Sequence, residues 1–416
     1  MAKRHAVVAG AGIGGLTAAL ALHRRGWHVT VCERAPEPPV TGAGIGLAPN
    51  ALRALETLGV DAAHAAGSAV PETMGLRRFD GRWLTRTATA DMAARYGVPP
   101  IAVPRPAFTA ALAAALPPQA LRYGTPVTAV EDATGRPTVR TAAGPDLTAD
   151  LVIAADGINS PLRRAHFPDH PGLHYTGESA WRTLVNAPDL GIASMSETWG
   201  RGRRFGVTPL SDGRLYLYAT ALVPAGTRPA DPRAELRRRF GSWHDPIPAL
   251  LDRIERLDAA DILCNDLYDL AAPLPRLHQG RIVWLGDAAH AMTPNLGQGG
   301  CQAIEDAVVL AHLLPSGDTA DTLETPDGPA TKDGPAAKDP VPAALAAYTA
   351  ARLDRTNAIR LRARRIGRLG ILRNPLAAAA RDLAIRATPT RLALHGMDDL
   401  FNGFSLPDEG NPPPAR

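Results

Sequence analysis

A glycine string near the start of the chain, Gly10-Ala-Gly12-Ile-Gly14-Gly15, leaves few folds open. It follows a short apolar run, Ala6 to Ala9, that reads as a buried strand, and it opens a helical stretch from Gly14 to Arg25. Gly26 ends that helix, and Trp27 to Cys32 reads as a second strand, which completes a βαβ start. In such a unit the first glycine permits a tight turn and the second lets the backbone approach a pyrophosphate. The third lets helix and strand pack closely. The helix start then offers unpaired N–H groups to phosphates. Glu33 stands 18 residues past Gly15, at the end of the second strand, where a carboxylate accepts hydrogen bonds from a ribose. A dinucleotide site follows from this arrangement.

The same glycines decide another question. Lys3, Arg4 and His5 ahead of the apolar run Ala6 to Leu22 imitate a signal peptide, yet glycines interrupt the run and weaken a continuous helix. No other segment approaches the length needed to cross a bilayer. Cys32, Cys264 and Cys301 are far apart, match no metal-ligand spacing and fit a reducing compartment. The expectation is a cytoplasmic protein with no metal site and no stable membrane insertion. The net charge of +4 is almost all arginine, with lysine only at 3, 332 and 338. No basic arm or aromatic-studded stripe tracks a phosphate backbone, which argues against nucleic acid. The oligomeric state is left open.

At 416 residues the chain accommodates two interleaved units. Thr41 to Asn50 reads as a loop, Ala51 to Leu58 and Arg105 to Leu116 as helices, and Val127 to Val130 with Thr138 to Thr141 as a hairpin. From Glu178 to Asp269 tryptophan and tyrosine cluster, and Arg214 to Ala219 alternates with a strand period. The expected class is α/β: a Rossmann-like nucleotide-binding domain (1–74, 101–177 and 272–314) interleaved with a mostly antiparallel β-sheet substrate domain (178–271, with an excursion at 75–100), plus C-terminal helices (343–416). Residues 315–342 are rich in Pro, Gly, Asp, Thr and Ala and read as a flexible surface loop. Ala343 to Arg368 then reads as a helix whose many arginines form a solvated face, with a membrane-surface role as the lesser alternative.

Two further strand ends carry chemistry. Leu151-Val-Ile-Ala-Ala-Asp156-Gly157 ends a buried strand in Asp-Gly, before a helix start that runs to Arg163. Arg281-Ile-Val-Trp-Leu-Gly286-Asp287-Ala-Ala-His290 ends another in Gly-Asp. The loop Thr293-Pro294-Asn-Leu-Gly297-Gln-Gly299-Gly300 then runs into a helix from Gln302. Such a loop aims backbone N–H groups at negative charge.

These three segments, in this order and spacing, resemble the single-component FAD-dependent aromatic hydroxylases, the para-hydroxybenzoate hydroxylase-like monooxygenases. The resemblance covers nearly the whole chain. It implies that Gly10, Gly12, Gly14 and Gly15 hold the FAD pyrophosphate and Glu33 the adenosine ribose, with Arg34 nearby. Gly46, in GAGIGL, would run close to the flavin, and Arg105 would touch FAD from the next helix. Asp156 and Gly157 match the motif linked to FAD and the pyridine nucleotide, and Asp287 the acid at the ribityl or phosphate region. Pro294, Gly297, Gly299 and Gly300 match the loop beside the isoalloxazine ring. For His290 a structural hydrogen bond is expected. Arg204 and Tyr216 fall where the urate-hydroxylase branch places substrate contacts, and Arg204 would meet a carboxylate, phenolate or carbonyl.

The implied activity is an NADH- or NADPH-consuming monooxygenation of a small aromatic molecule with O2, by hydroxylation or epoxidation through a flavin C4a-hydroperoxide. The cofactor does the hard chemistry, in keeping with the lack of a nucleophilic triad or paired carboxylates in the sequence. The rivals are a reductase or dehydrogenase of the same fold and a non-catalytic FAD-binding protein. A halogenase would carry Trp-x-Trp-x-Ile, a string not found here.

Overall fold

The computed structural model describes residues 3–38, 43–62, 67, 69–132, 135–142, 144–318 and 339–407. Most of the proline-rich stretch expected as a surface loop, 319–338, lies outside the described residues. Of its flanks, Pro315 is fixed by Trp27 Nε1, which donates to its carbonyl at 2.9 Å.

A six-stranded sheet runs in the order His278–Gln279, Ile282–Trp284, Leu151–Ala154, His5–Ala9, His28–Cys32, Leu121–Arg122. His5–Ala9 pairs in parallel with both Leu151–Ala154 and His28–Cys32, and Leu151–Ala154 pairs in parallel with Ile282–Trp284. Parallel strands of this kind are covered on both faces, so their sequences are continuously apolar rather than alternating. The three strands Val7–Ala9, Leu151–Ala154 and Ile282–Trp284 are accordingly buried throughout. The helices Ile13–Arg24 and Gly299–Leu313 lie against each other beside them. Gly14 makes that approach possible, since a Cβ there would stand 2.8 Å from Leu285 Cδ1 and 3.0 Å from Ala303 Cβ.

The second sheet has seven strands, ordered Leu263–Leu270, Leu173–Asn186, Arg214–Leu222, Arg203–Pro209, Met195–Trp199, Thr73–Arg78, Trp83–Ala88. All its pairings are antiparallel except that of Met195–Trp199 with Thr73–Arg78. Side chains alternate between faces along a strand. Phe205, Val207, Leu215, Leu217 and Ala219 fill one face under the helices Pro232–Phe240 and Ile247–Ile254. Arg204, Tyr216, Tyr218 and Thr220 therefore lie on the other face.

Two elements depart from the sequence reading. Gly44–Leu47 is a strand rather than a loop, paired antiparallel with Ile101–Pro104. Its two glycines hid the strand signal, and its partner is remote in sequence. The long helix, Val341–Gly370, does not present its arginines only to solvent. Arg352 Nε and Nη1 donate to Asp306 Oδ1 (2.7 Å) and Glu305 Oε2 (2.6 Å). Arg355 bonds Glu305 through Nε (2.8 Å) and Nη2 (3.0 Å), and Arg364 grips Asp269 through Nε at 2.6 Å. Glu305, Asp306 and Asp269 are fully buried.

Burial alone would raise the Asp306 carboxyl, but His290 and Arg352 reverse this and hold it well below the usual carboxylate range. Glu305 is likewise lowered, by Arg352 and Arg355 against its burial. A carboxyl depressed in the folded state stabilises at neutral pH and loses that contribution as pH falls toward its folded value. Removing one partner of a buried ion pair costs about 3–5 kcal/mol. Arg352→Met should therefore lower the unfolding free energy by roughly that much at pH 7, measured by denaturant titration. Its deficit relative to the parent should shrink below about pH 4, as the carboxyls protonate.

Candidate functional site

Strand register places the sequence motifs along one edge. Ala9 pairs with Cys32 on one side and Ala154 on the other, and Ala154 pairs with Trp284. The residues that follow these four, leading to Gly10, Glu33, Asp156 and Gly286, leave the sheet at its carboxyl edge on adjacent parallel strands. Open α/β sheets bind ligands at that edge.

The glycine turn has the shape the sequence demands. Gly10 has φ +108°, and a Cβ on it would lie 2.5 Å from the Ala155 carbonyl oxygen. A Cβ on Gly15 would lie 2.0 Å from the Gly10 oxygen. Gly12, the residue preceding the helix, has no atom within 4 Å of such a Cβ, so the backbone there is open to an incoming group. Glu33 is fastened across the turn: Oε2 accepts from Ala11 N (2.7 Å) and Oε1 from Ala35 N (2.9 Å). Each oxygen keeps a lone pair for a sugar hydroxyl. Arg34, the next residue, is exposed.

The second and third strand ends are tied to each other. Asp156 Oδ2 accepts from Leu162 N at 3.2 Å, while the buried Oδ1 has no partner among the described residues. Burial raises the Asp156 carboxyl. Gly157 turns the chain at φ +82° with open space beside it. Arg163, which the sequence analysis did not single out, is buried and donates through Nη1 to the carbonyls of Asp287 (3.2 Å) and Ala288 (3.0 Å). Asp287 is exposed between the buried Gly286 and Ala288, and it faces Gly299. His290 Nε2 meets Asp306 Oδ2 at 2.5 Å, a structural bond of the kind expected. The same Oδ2 accepts from Gly286 N at 3.0 Å.

The remaining predicted residues border this edge. Pro294 and Gly297 are exposed, and Gly297 has φ +63° with nothing within 4 Å of where a Cβ would stand. Gly299 and Gly300 open the helix Gly299–Leu313, whose first N–H groups lack helical acceptors. Gly300 lies against the Gly44–Leu47 ribbon, where a Cβ would fall 2.8 Å from Ile45 Cδ1. Cys301 joins the two: its thiol donates to Gly297 O (3.4 Å), and Ala48 N donates to its sulfur (3.5 Å). Burial pushes this thiol up to about 12. Gly46 is exposed on the ribbon, and Arg105, also exposed, starts the helix directly after the partner strand. The open turn at Gly12, the unpartnered Asp156 oxygen, the exposed Asp287 and the free amides at Gly299 and Gly300 fit a long dianionic dinucleotide.

On the facing sheet, Tyr216 lies against the ribbon, since a Cβ on Gly44 would stand 2.8 Å from Tyr216 Cγ. Tyr216 and Tyr218 are 5.9 Å apart between ring centroids, and burial raises both phenols. Arg204 is 2% exposed and is committed to protein partners. Its Nη2 donates to Glu178 Oε2 (2.6 Å), its Nη1 to Asn295 Oδ1 (2.6 Å) and its Nε to Thr220 Oγ1 (3.2 Å). Glu197 lies 3.3 Å from Nη1. The guanidinium of this substrate-pocket candidate is thus engaged by protein acceptors. Sequence alone does not show the register that sets Glu178 and Glu197 beside it.

A family model described as "FAD binding domain" matches residues 3–316. The chain is 38% identical to the aurachin C monooxygenase/isomerase of Stigmatella aurantiaca, over 91% of this chain and 93% of the relative. It is 32% identical to the 2-heptyl-3-hydroxy-4(1H)-quinolone synthase of Pseudomonas aeruginosa, over 95% and 97%. A Klebsiella pneumoniae protein solved with FAD and uric acid superposes with a TM-score of 0.83 at 30% identity, covering 96% of this chain and 97% of that one.

Among the described residues the exposed Asp287 side chain takes part in no hydrogen bond or ion pair, so Asp287→Ala should fold normally. Hydrogen bonds to a charged group contribute about 1.5–3 kcal/mol, so FAD affinity should fall roughly ten- to a hundredfold. The ratio of flavin to protein absorbance after dialysis measures it, and a fully yellow variant would remove Asp287 from the site.

Proposed function

The chain belongs to the FAD-binding-domain family and is a flavin-dependent monooxygenase of the para-hydroxybenzoate hydroxylase-like class; from this we propose that it uses NADH or NADPH and O2 to oxygenate an uncharged heteroaromatic molecule. When bound and reduced, FAD supplies the oxygen activation, and the product gains one oxygen atom by hydroxylation or epoxidation. Gly10, Gly12 and Gly15 would seat the pyrophosphate, Glu33 the adenosine ribose, and Asp287 the ribityl or phosphate region. The amides of Gly299 and Gly300 would face the pyrimidine side of the ring, where negative charge develops on reduction. Arg105 and Gly46 would flank the ring from the ribbon. We place the reaction in the cytoplasm, where the reductant is abundant and the three thiols remain free.

The substrate class rests on one observation: the donors of Arg204 are already taken by Glu178, Asn295 and Thr220, with Glu197 adjacent. Arg182 lies on the same face, where its charge opposes the upward effect of burial on the Tyr216 phenol. Glu178 and Glu197 thus meet the charge of Arg204, so this guanidinium does not draw in an anionic ring. The paired phenols, held protonated, offer a donor and an acceptor to a neutral carbonyl or ring N–H. The quinolone named for one relative is of this neutral kind.

Substrate-stimulated NAD(P)H oxidation should be strong with uncharged 4-quinolones and weak with benzoate- and urate-type anions, with product masses checked for one added oxygen. Equal or better turnover of the anions would refute the neutral-substrate reading. Glu197→Gln removes one compensating charge, so the kcat/KM ratio of anionic to neutral substrates should rise about tenfold or more.

A further inference from the structure

The helix Pro375–Ala387 is amphipathic the wrong way round. Its charged pair is buried, with Arg381 7% and Asp382 9% exposed, while Leu376 and Leu383 are 80% and 68% exposed. Leu376, Ala380, Leu383 and Ala387 recur at helical spacing and form one outward stripe. The inversion has a local cause. Arg381 donates through Nη2 to Asp382 Oδ1 (2.7 Å) and through Nη1 to Leu369 O (2.9 Å), and its guanidinium sits 5.1 Å from the Trp199 ring centroid. The inner face is therefore satisfied by one ion pair, a helix end and an indole, and the leucines are left outside.

The exposed leucines do not stand alone. Of the large apolar side chains exposed among the described residues, Leu361, Leu369, Leu376, Leu383 and Leu392 fall in this one segment. Scattered single leucines need no explanation, but a concentration of them does. In the same stretch of sequence Arg365, Arg368, Arg373, Arg386 and Arg391 are exposed, and none has an ion-pair partner among the described residues. From Ile359 to Met397 the sequence contains one acid, Asp382, and it is buried.

We propose that this surface docks the protein on an anionic lipid bilayer, with the Leu376–Leu383 stripe in the acyl boundary and the arginines among the headgroups. Apolar burial combined with unpaired cations is what interfacial helices use. Charge complementarity selects this occupant. A second copy related by a two-fold axis would set the same arginines against each other, and a neutral apolar partner would leave them without counter-charge. No described helix is long and apolar enough to cross a membrane, so the contact is with the surface alone. The proposal does not depend on which substrate the enzyme takes.

The test is flotation of the full-length, FAD-loaded protein with phosphatidylcholine vesicles and with vesicles that also contain phosphatidylglycerol. Binding should require phosphatidylglycerol and weaken as salt is added. The Leu376→Ser, Leu383→Ser double variant should bind at least about tenfold more weakly. The Arg386→Ala, Arg391→Ala pair should lose about fivefold per arginine. Flavin content and turnover of a water-soluble substrate should stay unchanged in both, which separates lost docking from misfolding. Absence of binding, equal binding to phosphatidylcholine alone, or a dimer that the leucine substitutions dissociate would overturn the proposal.

Discussion

The buried carboxylate of Asp306 holds the Gly286 N–H, the His290 ring and the Arg352 guanidinium at once. Gly286 is the turn, at φ +60°, that brings Asp287 out of the buried strand end. Its neighbour Glu305 holds Asn50, Gln302, Arg352 and Arg355. Asn50 in turn reaches Gln298, the residue that precedes the helix after the glycine loop. Two consecutive acids on one helix thus fix the third strand end, the glycine loop and the helix that follows the ribbon. Buried charges tolerate little misplacement, because each lost partner leaves an uncompensated ion. The backbone amides of Gly299 and Gly300 inherit that rigidity.

What was legible in the sequence was set by backbone sterics. Gly10 and Gly15 are glycine because carbonyl oxygens occupy the space a side chain would need, and such constraints leave a local string to read. Asp156 and Asp287 were legible because they end apolar runs. Glu305 and Asp306 carried no such signal, since their partners Arg352 and Arg355 follow only after a long intervening stretch. A charged residue in a helix does not declare which side it faces, so the arginines of Val341–Gly370 read as solvated when several are buried. The same ambiguity hid the inverted face of Pro375–Ala387. Arg204 was singled out by position, but its engagement by Glu178 and Thr220 depends on strand pairing that only the fold supplies.

Two side-chain routes join the second sheet to the glycine loop. Arg204 leaves the second sheet and bonds Asn295 in the loop beside Gly297, and Asn295 donates to the Ala363 carbonyl on the long helix at 3.0 Å. Tyr216 touches the Gly44 ribbon, which Cys301 fastens to that loop. A change on the second sheet is therefore felt at the glycine loop through either route.

The order of the parallel strands also bears on how the molecule is made. Ile282–Trp284 joins the sheet beside Leu151–Ala154, which itself lies beside His5–Ala9. A nascent chain must expose well over half its length before this nucleotide edge exists, and pairings so distant form slowly. Capture of the cofactor at this edge thus waits until strands as distant in sequence as His5–Ala9 and Ile282–Trp284 have joined one sheet. Cellular flavin supply would then govern how long the completed but empty protein survives quality control, rather than whether synthesis of it can begin.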